Sequence, residues 1–297
     1  MTKAGVGFVG IGAMGWPMAA RLAGSGHLTT VFDADQDRAT AFCAEWGLRT
    51  SFSPAEVGRQ VATVITMLPT SSEVAGVLFG PQSLASELRR GDLVIDMSSG
   101  VPVRTRGFSL QLRSKGVAML DAPVSGGVHR AALGSLAIMV GGPLQIIERA
   151  QDILGLLGSS IHRTGSIGSG QAMKSLNNLV SAACLLATVE AVDVGRRFGL
   201  DPHLMVDVLN HSSGMTDASQ RKIEQFILNE EFNSGFGLDL MVKDVDIAIG
   251  LSDQMRRPSD LSRATLRAWS AAQADLGKGR DHTEVANYAA RESASIM

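Results

Sequence analysis

Short apolar runs and longer amphipathic stretches alternate along roughly the first 160 residues of this chain. "GVGFV", "LTTVF", "VATVITML", "GDLVIDM", "AMLDAP" and "SLAIMVGG" each have strand length and end in polar, glycine or proline residues. Near-continuous apolar runs of this kind suit strands buried on both faces. The stretches between them carry helical spacing, and two open on a capping-box pattern, Ser53-Pro54-Ala55-Glu56 and Thr70-Ser71-Ser72-Glu73. Strand–helix alternation of this length predicts a parallel, doubly wound sheet. Beyond about His162 the strand-like runs almost vanish and helical patterns continue. The pattern predicts an α/β domain over residues 1–163 and an all-α domain over 164–297, joined by a long helix. That helix is expected from Gln171 to about Arg197, entered through Gly165, Gly168 and Gly170. At ~1.5 Å per residue it is roughly 40 Å long. It is apolar nearly all round, which predicts burial. One polar stripe interrupts it: Lys174, Asn178 and Ser181, spaced to share a face. A lysine on a buried helix is costly unless it is paired or used. The alternative is a stem lying on the surface with its amine in water.

The stretch "FVGIGAMGWPM" holds Gly10-x-Gly12-x-x-Gly15. Glycine makes up 33 of the 297 residues, so this pattern decides nothing alone. Its flanks do. A strand-like run precedes it. A helix-like "WPMAARLAG", ending at Gly24 or Gly26, follows it. Asp33 closes the next apolar run, 18 residues beyond Gly15. This is the context of a dinucleotide-binding loop of the Rossmann type. The glycines let the backbone approach a pyrophosphate. The helix starting near Ala13 aims free N–H groups, that of Met14 among them, at it. Asp33 can accept hydrogen bonds from ribose hydroxyls. A glycine turn that merely packs strand on helix is the alternative. Asp33 would repel a 2'-phosphate, and the residues that follow, "ADQD", offer no arginine beside it, Arg38 being the nearest, so NAD is expected over NADP. Ligands of such sheets gather off the C-terminal strand ends. That nominates Leu68-Pro69-Thr70, Met97-Ser98-Ser99 and "DAPVSGG", Asp121 to Gly127.

The formal net charge of −2 removes any case for a nucleic-acid-binding surface. Cys43 and Cys184 lie far apart, which fits a reduced chain. No charged region followed by a cleavable apolar one opens the sequence. The longest apolar tract, Leu179 to Val194, is interrupted by Ser181 and Glu190 and makes a poor membrane span. A cytoplasmic protein with no membrane partner is expected. No metal-ligand grouping stands out, so no metal is expected.

Four segments, "GFVGIGAMGWPMAARL", "DAPVSGG", "GSIGSGQAMKSLNN" and "FGLDLMVKDVDIA", stand in an order and at separations that resemble the β-hydroxyacid dehydrogenases. This is the family of 3-hydroxyisobutyrate dehydrogenase and tartronate semialdehyde reductase. The likeness spans the whole chain. It implies a Rossmann-type domain followed by a helical one, and hydride transfer between NAD(P) and the β-hydroxyl, or semialdehyde, of a small carboxylic acid. It also implies a homodimer or homotetramer built through the helical domain. By this resemblance Lys174 falls on the catalytic lysine and Asn178 on an asparagine that holds substrate. Ser125, Gly126 and Gly127 fall on the loop that binds the substrate carboxylate, and Phe236 on a pocket aromatic. Ser99 falls at the substrate–nicotinamide edge, Lys243 near the nicotinamide, and Leu68 and Pro69 on the loop after the adenosine-side strand.

The residues themselves support much of this. A serine and two glycines at a strand end can offer a hydroxyl and close amides to a carboxylate, although a tight turn needs the same residues. Lys243-Asp244 also reads as a surface ion pair, and an apolar Phe236 before a helix also reads as core. Trp16 inside the first motif and Val245 depart mildly from the family pattern. Val128-His129-Arg130 occupies a place where members differ. An imine reductase lacks a lysine at the position of Lys174, and 6-phosphogluconate dehydrogenase has a larger helical domain. A lactate-type enzyme needs a His–Asp pair facing an arginine; only Asp281-His282 suggests one, and as sequence neighbours in the last helical region they do not make that case. A non-catalytic NAD-binding module would have no use for Lys174, Asn178 and Ser125 together. The leading expectation is a 3-hydroxyisobutyrate-type substrate. Tartronate semialdehyde and L-serine- or L-threonate-like acids are the alternatives.

Overall fold

Nine strands form one sheet in the computed structural model, which describes residues 5–295. They are β1 (Val6–Val9), β2 (Leu28–Phe32), β3 (Arg49–Thr50), β4 (Thr63–Thr66), β5 (Leu93–Asp96), β6 (Ala118–Asp121), β7 (Val124–Ser125), β8 (Ala137–Gly141) and β9 (Ser160–Gly165). Their order is β3-β2-β1-β4-β5-β6-β8-β7, with β9 against β8. The strands from β3 to β6 in that order pair parallel. β8 runs antiparallel to both β6 and β7. The sheet is therefore mixed and not wholly parallel as the pattern predicted. Residues 126–136, between β7 and β8, hold only the helix Gly127–Leu133 and a turn. A parallel crossover needs about a dozen residues or more.

Successive strand residues face opposite layers. Ile65, Ile95 and Leu120 pack with Met18 and Leu22 of the helix Gly15–Gly24 and with Leu154. Their neighbours Val64, Val94 and Met119 pack with Leu78 and Leu112 on the other side. This double burial explains why the central strands read as unbroken apolar runs. β3 and β7 have two residues each, too short for any periodicity to show. Strand order reverses at β1, which lies between β2 and β4. A ligand crevice forms at such a reversal, off the C-terminal strand ends.

Neither predicted capping box closes fully. Ser53 accepts from the Glu56 amide, but Glu56 reaches past it to the amide of Phe52. Thr70 accepts from Ser72 N–H and bonds the Glu73 carboxylate side chain to side chain. Complete boxes occur instead at Thr216–Ser219 and Asp281–Glu284.

The described residues up to Lys174 form one compact unit, and those from Ser175 onward form another. The long helix, Ser169–Phe198, contains that boundary. By length and composition alone it could cross a bilayer. Its Gln171, Lys174, Ser175 and Asn178 are buried, whereas Val180, Val194 and Phe198 further along it are exposed. The named elements of the second unit are all helices, with one isolated bridge between Gly237 and Asp281. Its core centres on Trp269, fully buried among Leu185, Val206, Met241, Val245 and Val285. The Trp269 indole N–H donates to the Ala182 carbonyl at 3.3 Å.

Candidate active site

The first glycine loop leaves β1 and enters the helix at Gly15, two residues after the expected start. Each glycine has its own reason. Gly10 has φ +92°, and a Cβ there would lie 2.3 Å from the Met67 carbonyl oxygen. A Cβ at Gly15 would lie 1.9 Å from the Gly10 oxygen. Gly12 has nothing within 4 Å of its Cβ position, so the space above it is open. The amides of Gly12, Ala13 and Met14 donate to no acceptor among the described residues. These open amides at a helix N-terminus fit a dinucleotide pyrophosphate.

Asp33, buried just beyond β2, braces that loop. Its Oδ2 accepts from Ile11 N–H at 2.8 Å and its Oδ1 from Asp35 N–H at 2.9 Å. Arg38 also reaches it, at 3.4 Å, and pairs with Asp35 at 3.0 Å. Five residues apart in sequence, Arg38 and Asp33 meet because the helix Gln36–Trp46 carries Arg38 on its first turn. The expectation that no arginine stands beside Asp33 is thereby corrected.

Three further loops leave the C-terminal ends of β4, β5 and β6. They carry Leu68 and Pro69, Ser99, and the Ser125–Gly127 segment. A buried polar hub ties the first two loops to each other and to Asp121 at the end of β6. Leu68 N–H donates to Ser98 Oγ at 2.9 Å. Asp96 Oδ1 accepts from Thr66 Oγ1 at 2.9 Å and from Ser98 N–H at 3.2 Å. Asp121, its direct partner in β6, accepts from Gly168 N–H at 2.7 Å and Gln171 N–H at 2.9 Å. The Gln171 amide bonds both Ser98 O and Gly100 N–H at 2.8 Å. Burial pushes the Asp96 carboxyl up to about 6, against the hydrogen bonds that favour its charge. Burial also raises Asp121, opposed chiefly by the Gly168 and Gln171 amides. The sequence reading nominated Asp121 only as the start of the "DAPVSGG" loop and gave Asp96 and Gln171 no role at the candidate site. The available signal was an aspartate closing two successive buried strands, "VID" and "MLD".

At the Ser125–Gly127 segment, Gly126 and Gly127 have φ of +133° and +70°. The aliphatic stem of Arg130 lies over Gly126, and a Cβ there would fall 2.6 Å from Arg130 Cδ. The half-buried Arg130 side chain has no hydrogen-bond or ion-pair partner among the described residues. A groove of about 620 Å³ runs along the helix Gly15–Gly24, lined in part by Trp16, Arg21, Trp46 and Leu156. No candidate residue lines it. Trp16 there packs edge-on against Phe42, with ring centroids 5.0 Å apart.

Lys174 is buried, 7% exposed, so its amine does not simply hang in solvent. Asn178 follows one turn later on the same helix. Its Nδ2 donates to Asp244 Oδ2 at 2.6 Å, and both residues are buried. Lys243 Nζ lies 3.4 Å from Asp244 Oδ1. Lys243-Asp244 is thus no surface ion pair, since the acid is buried and holds Asn178. The third member of the stripe, Ser181, accepts from Lys222 at 3.2 Å. Phe236 is half-buried with its ring edge-on to His282 at 5.4 Å. Its carbonyl accepts from His282 N–H at 2.8 Å. Asp281 caps the short turn His282–Glu284, so the one His–Asp neighbour pair serves the fold. Among the described residues no group of three metal-ligating side chains occurs.

A largely parallel sheet with open amides at its switch point defines a dinucleotide-binding α/β protein. Residues 5–165 match the NAD binding domain of 6-phosphogluconate dehydrogenase. Residues 168–289 match the NAD-binding domain of NADP-dependent 3-hydroxyisobutyrate dehydrogenase. The chain is 35% identical over 263 residues to mitochondrial 3-hydroxyisobutyrate dehydrogenase of Bos taurus, covering 86% of this chain and 78% of that one. It is 33% identical over 276 residues to 2-(hydroxymethyl)glutarate dehydrogenase of Eubacterium barkeri, covering 93% and 91%. The solved structure of Mycobacterium tuberculosis 3-hydroxyisobutyrate dehydrogenase with L-serine superposes with a TM-score of 0.88 at 30% identity, covering 97% and 99%. The chain belongs to the β-hydroxyacid dehydrogenase family, and is an NAD(P)-dependent oxidoreductase acting on a CH–OH group of a β-hydroxy acid.

Proposed function

We propose that Lys174 is the acid–base residue of this oxidoreductase, acting on a small β-hydroxy acid of the 3-hydroxyisobutyrate type. The observation that carries the reading is a buried lysine one helical turn from a buried asparagine. Bound nicotinamide supplies the hydride acceptor or donor. As hydride leaves the substrate carbon, the hydroxyl must lose its proton, and a group within hydrogen-bond reach must take it. Lys174 takes it in oxidation and returns it in reduction, while Asn178 orients the substrate oxygen. Asp244 fixes the Asn178 amide by accepting from its Nδ2, while the Asn178 Oδ1 accepts from Asn177 Nδ2 at 3.1 Å. Only a neutral amine accepts a proton, and an ordinary lysine titrates near about 10.4. Oxidation therefore rises with pH and reduction falls.

Ser125, Gly126 and Gly127 hold the substrate carboxylate. The unpaired Arg130 against Gly126 supports an anion there. Ser99, Phe236 and Lys243 complete the assignment by resemblance. Asp33 favours NAD, with Arg38 softening the preference. Self-association through the long helix fits its exposed Val180, Val194 and Phe198, and free Cys43 and Cys184 fit a cytoplasmic setting.

The test is steady-state kinetics on Lys174→Ala with small β-hydroxy acids. We expect kcat to fall on the order of 10²–10⁴, as for loss of a general acid–base, with NADH binding retained. Lys174→Arg should fail too, because guanidinium keeps its proton. A loss in kcat of less than about tenfold, well under that range, assigns the proton to another group. The same assay across 3-hydroxyisobutyrate, tartronate semialdehyde, L-serine and L-threonate ranks the substrates.

A further inference from the structure

The assignment of Lys174 leaves a question about aim. The amine must meet the substrate hydroxyl while hydride meets nicotinamide, so the helix carrying Lys174 and the loop carrying Ser99 need a fixed mutual position. Loops at strand ends are ordinarily the mobile parts of such a sheet. Here one side chain spans the gap. Gln171 Oε1 accepts from Gly100 N–H at 2.8 Å, and Nε2 donates to Ser98 O at 2.8 Å. These are the peptide groups on either side of Ser99. Nε2 also approaches Asp96 Oδ2, at 3.5 Å. The Gln171 backbone is anchored in turn, since its N–H donates to Asp121 Oδ2 while Asp121 Oδ1 takes Gly168 N–H. Gln171 is 1% exposed. Lys174 lies three residues further along the helix, on the neighbouring position of the same face.

We propose that Gln171 is a positioning residue, whose side-chain amide holds the Ser99 loop in register with the Lys174 turn so that proton and hydride transfer share one geometry. The amide group is suited to this because it is both donor and acceptor and carries no charge. A carboxylate could not donate to Ser98 O and would face Asp96. A lysine could not accept from Gly100. The contribution to rate is orientation, and misplacement by about 1 Å typically costs on the order of 10²-fold.

The proposal rests on Lys174 as the proton carrier, so Lys174→Ala runs beside it. Gln171→Ala is measured for kcat, KM, NADH affinity by fluorescence, melting temperature and the solvent deuterium isotope effect on kcat. We expect kcat to fall between about tenfold and a hundredfold, in line with that cost of misplacement. KM and NADH affinity should stay within about threefold of wild type, because orientation enters the transition state and not ground-state binding. The isotope effect should rise, since proton transfer becomes slower. If Gln171→Ala does not fold, Gln171→Met, which keeps the length and removes both hydrogen bonds, takes its place under the same criteria. Wild-type kcat in the folded variant overturns the proposal. So does a kcat loss that comes with weakened NADH binding and an unchanged isotope effect, which marks a purely structural role. If Lys174→Ala remains active, the proton-carrier assignment fails first. If Lys174→Ala is dead and the Gln171 variant is normal, only the positioning role fails.

Discussion

Two segments of this chain are written almost alike. Each runs from a strand through a glycine-rich turn into a helix: β1 through Gly10–Gly15, and β9 through Gly165–Gly170. Their turns do opposite work. Among the described residues, the first leaves the amides of Gly12, Ala13 and Met14 without acceptors and the space above Gly12 open. The second is closed from within, because the Asp121 carboxylate takes the amides of Gly168 and Gln171. An anion is called for at both helix starts. One is supplied by the chain, and at the other no described residue supplies it. The glycines alone do not distinguish the cases. What distinguishes them is whether a carboxylate from a neighbouring strand end reaches the turn.

The sharpest way to break this comparison is to add a methyl group to each loop. In Gly170→Ala the new carbon would lie 2.3 Å from the Met139 oxygen and 2.9 Å from that of Asp121. Overpacking of this kind costs about 1–3 kcal/mol or more, so calorimetry should show the melting temperature down by several degrees. Gly12→Ala meets no protein atom. It should melt like wild type yet bind NADH at least about tenfold more weakly, a loss of about 1.4 kcal/mol. The reverse outcome would make the first loop structural and the second open.

A smaller effect concerns cofactor choice at the open loop. Wild type should show a higher kcat/KM with NAD than with NADP. Asp33→Ser should narrow the ratio and Arg38→Ala should widen it, each by roughly tenfold or less, the scale of about 1.4 kcal/mol. An unmodified enzyme that turns over NADP as well as NAD defeats the role given to Asp33. An unchanged ratio in Arg38→Ala defeats that of Arg38.

The smallest effect lies beneath the closed loop. Asp96 has a folded-state carboxyl near 6, above the ordinary aspartate value, because it is buried. The folded state therefore holds this proton more tightly than the unfolded chain does. The stability this contributes is complete below about pH 4 and is lost as pH rises through about 6. Asp96→Asn keeps an acceptor for Thr66 and Ser98 and cannot ionise. Its melting temperature should gain on wild type by a few degrees between pH 4 and pH 7. A difference between the two proteins that does not move with pH removes Asp96 as the titrating group.

Much of the architecture is legible in the sequence because burial on both faces writes itself as unbroken apolar runs. The β1 loop and Asp33 stand out because strand, glycines, helix and acid must fall in fixed order. Lys174 and Asn178 show as a polar stripe on an apolar helix. Other features depend on contacts between distant segments. Nothing local to "GDLVIDM" says that Asp96 will pair in register with Asp121, or that Gln171, 75 residues on, will lie against it. Arg38 looks remote from Asp33 until a helical turn folds it back. Ser181 looks like part of the Lys174 stripe until Lys222 claims it. The antiparallel β8 hides because a buried strand reads the same in either direction.

The hydrogen bond from Ile11 N–H to Asp33 Oδ2 has an evolutionary consequence. The carboxylate that would discriminate between cofactors also buttresses the turn that would hold the pyrophosphate. A descendant that discards it to accept a phosphorylated ribose gives up a strut at the same moment. The first step toward a new cofactor preference then lowers affinity for both dinucleotides. Further substitutions must restore the turn before the new preference becomes useful, so the position resists change even when selection favours the other cofactor.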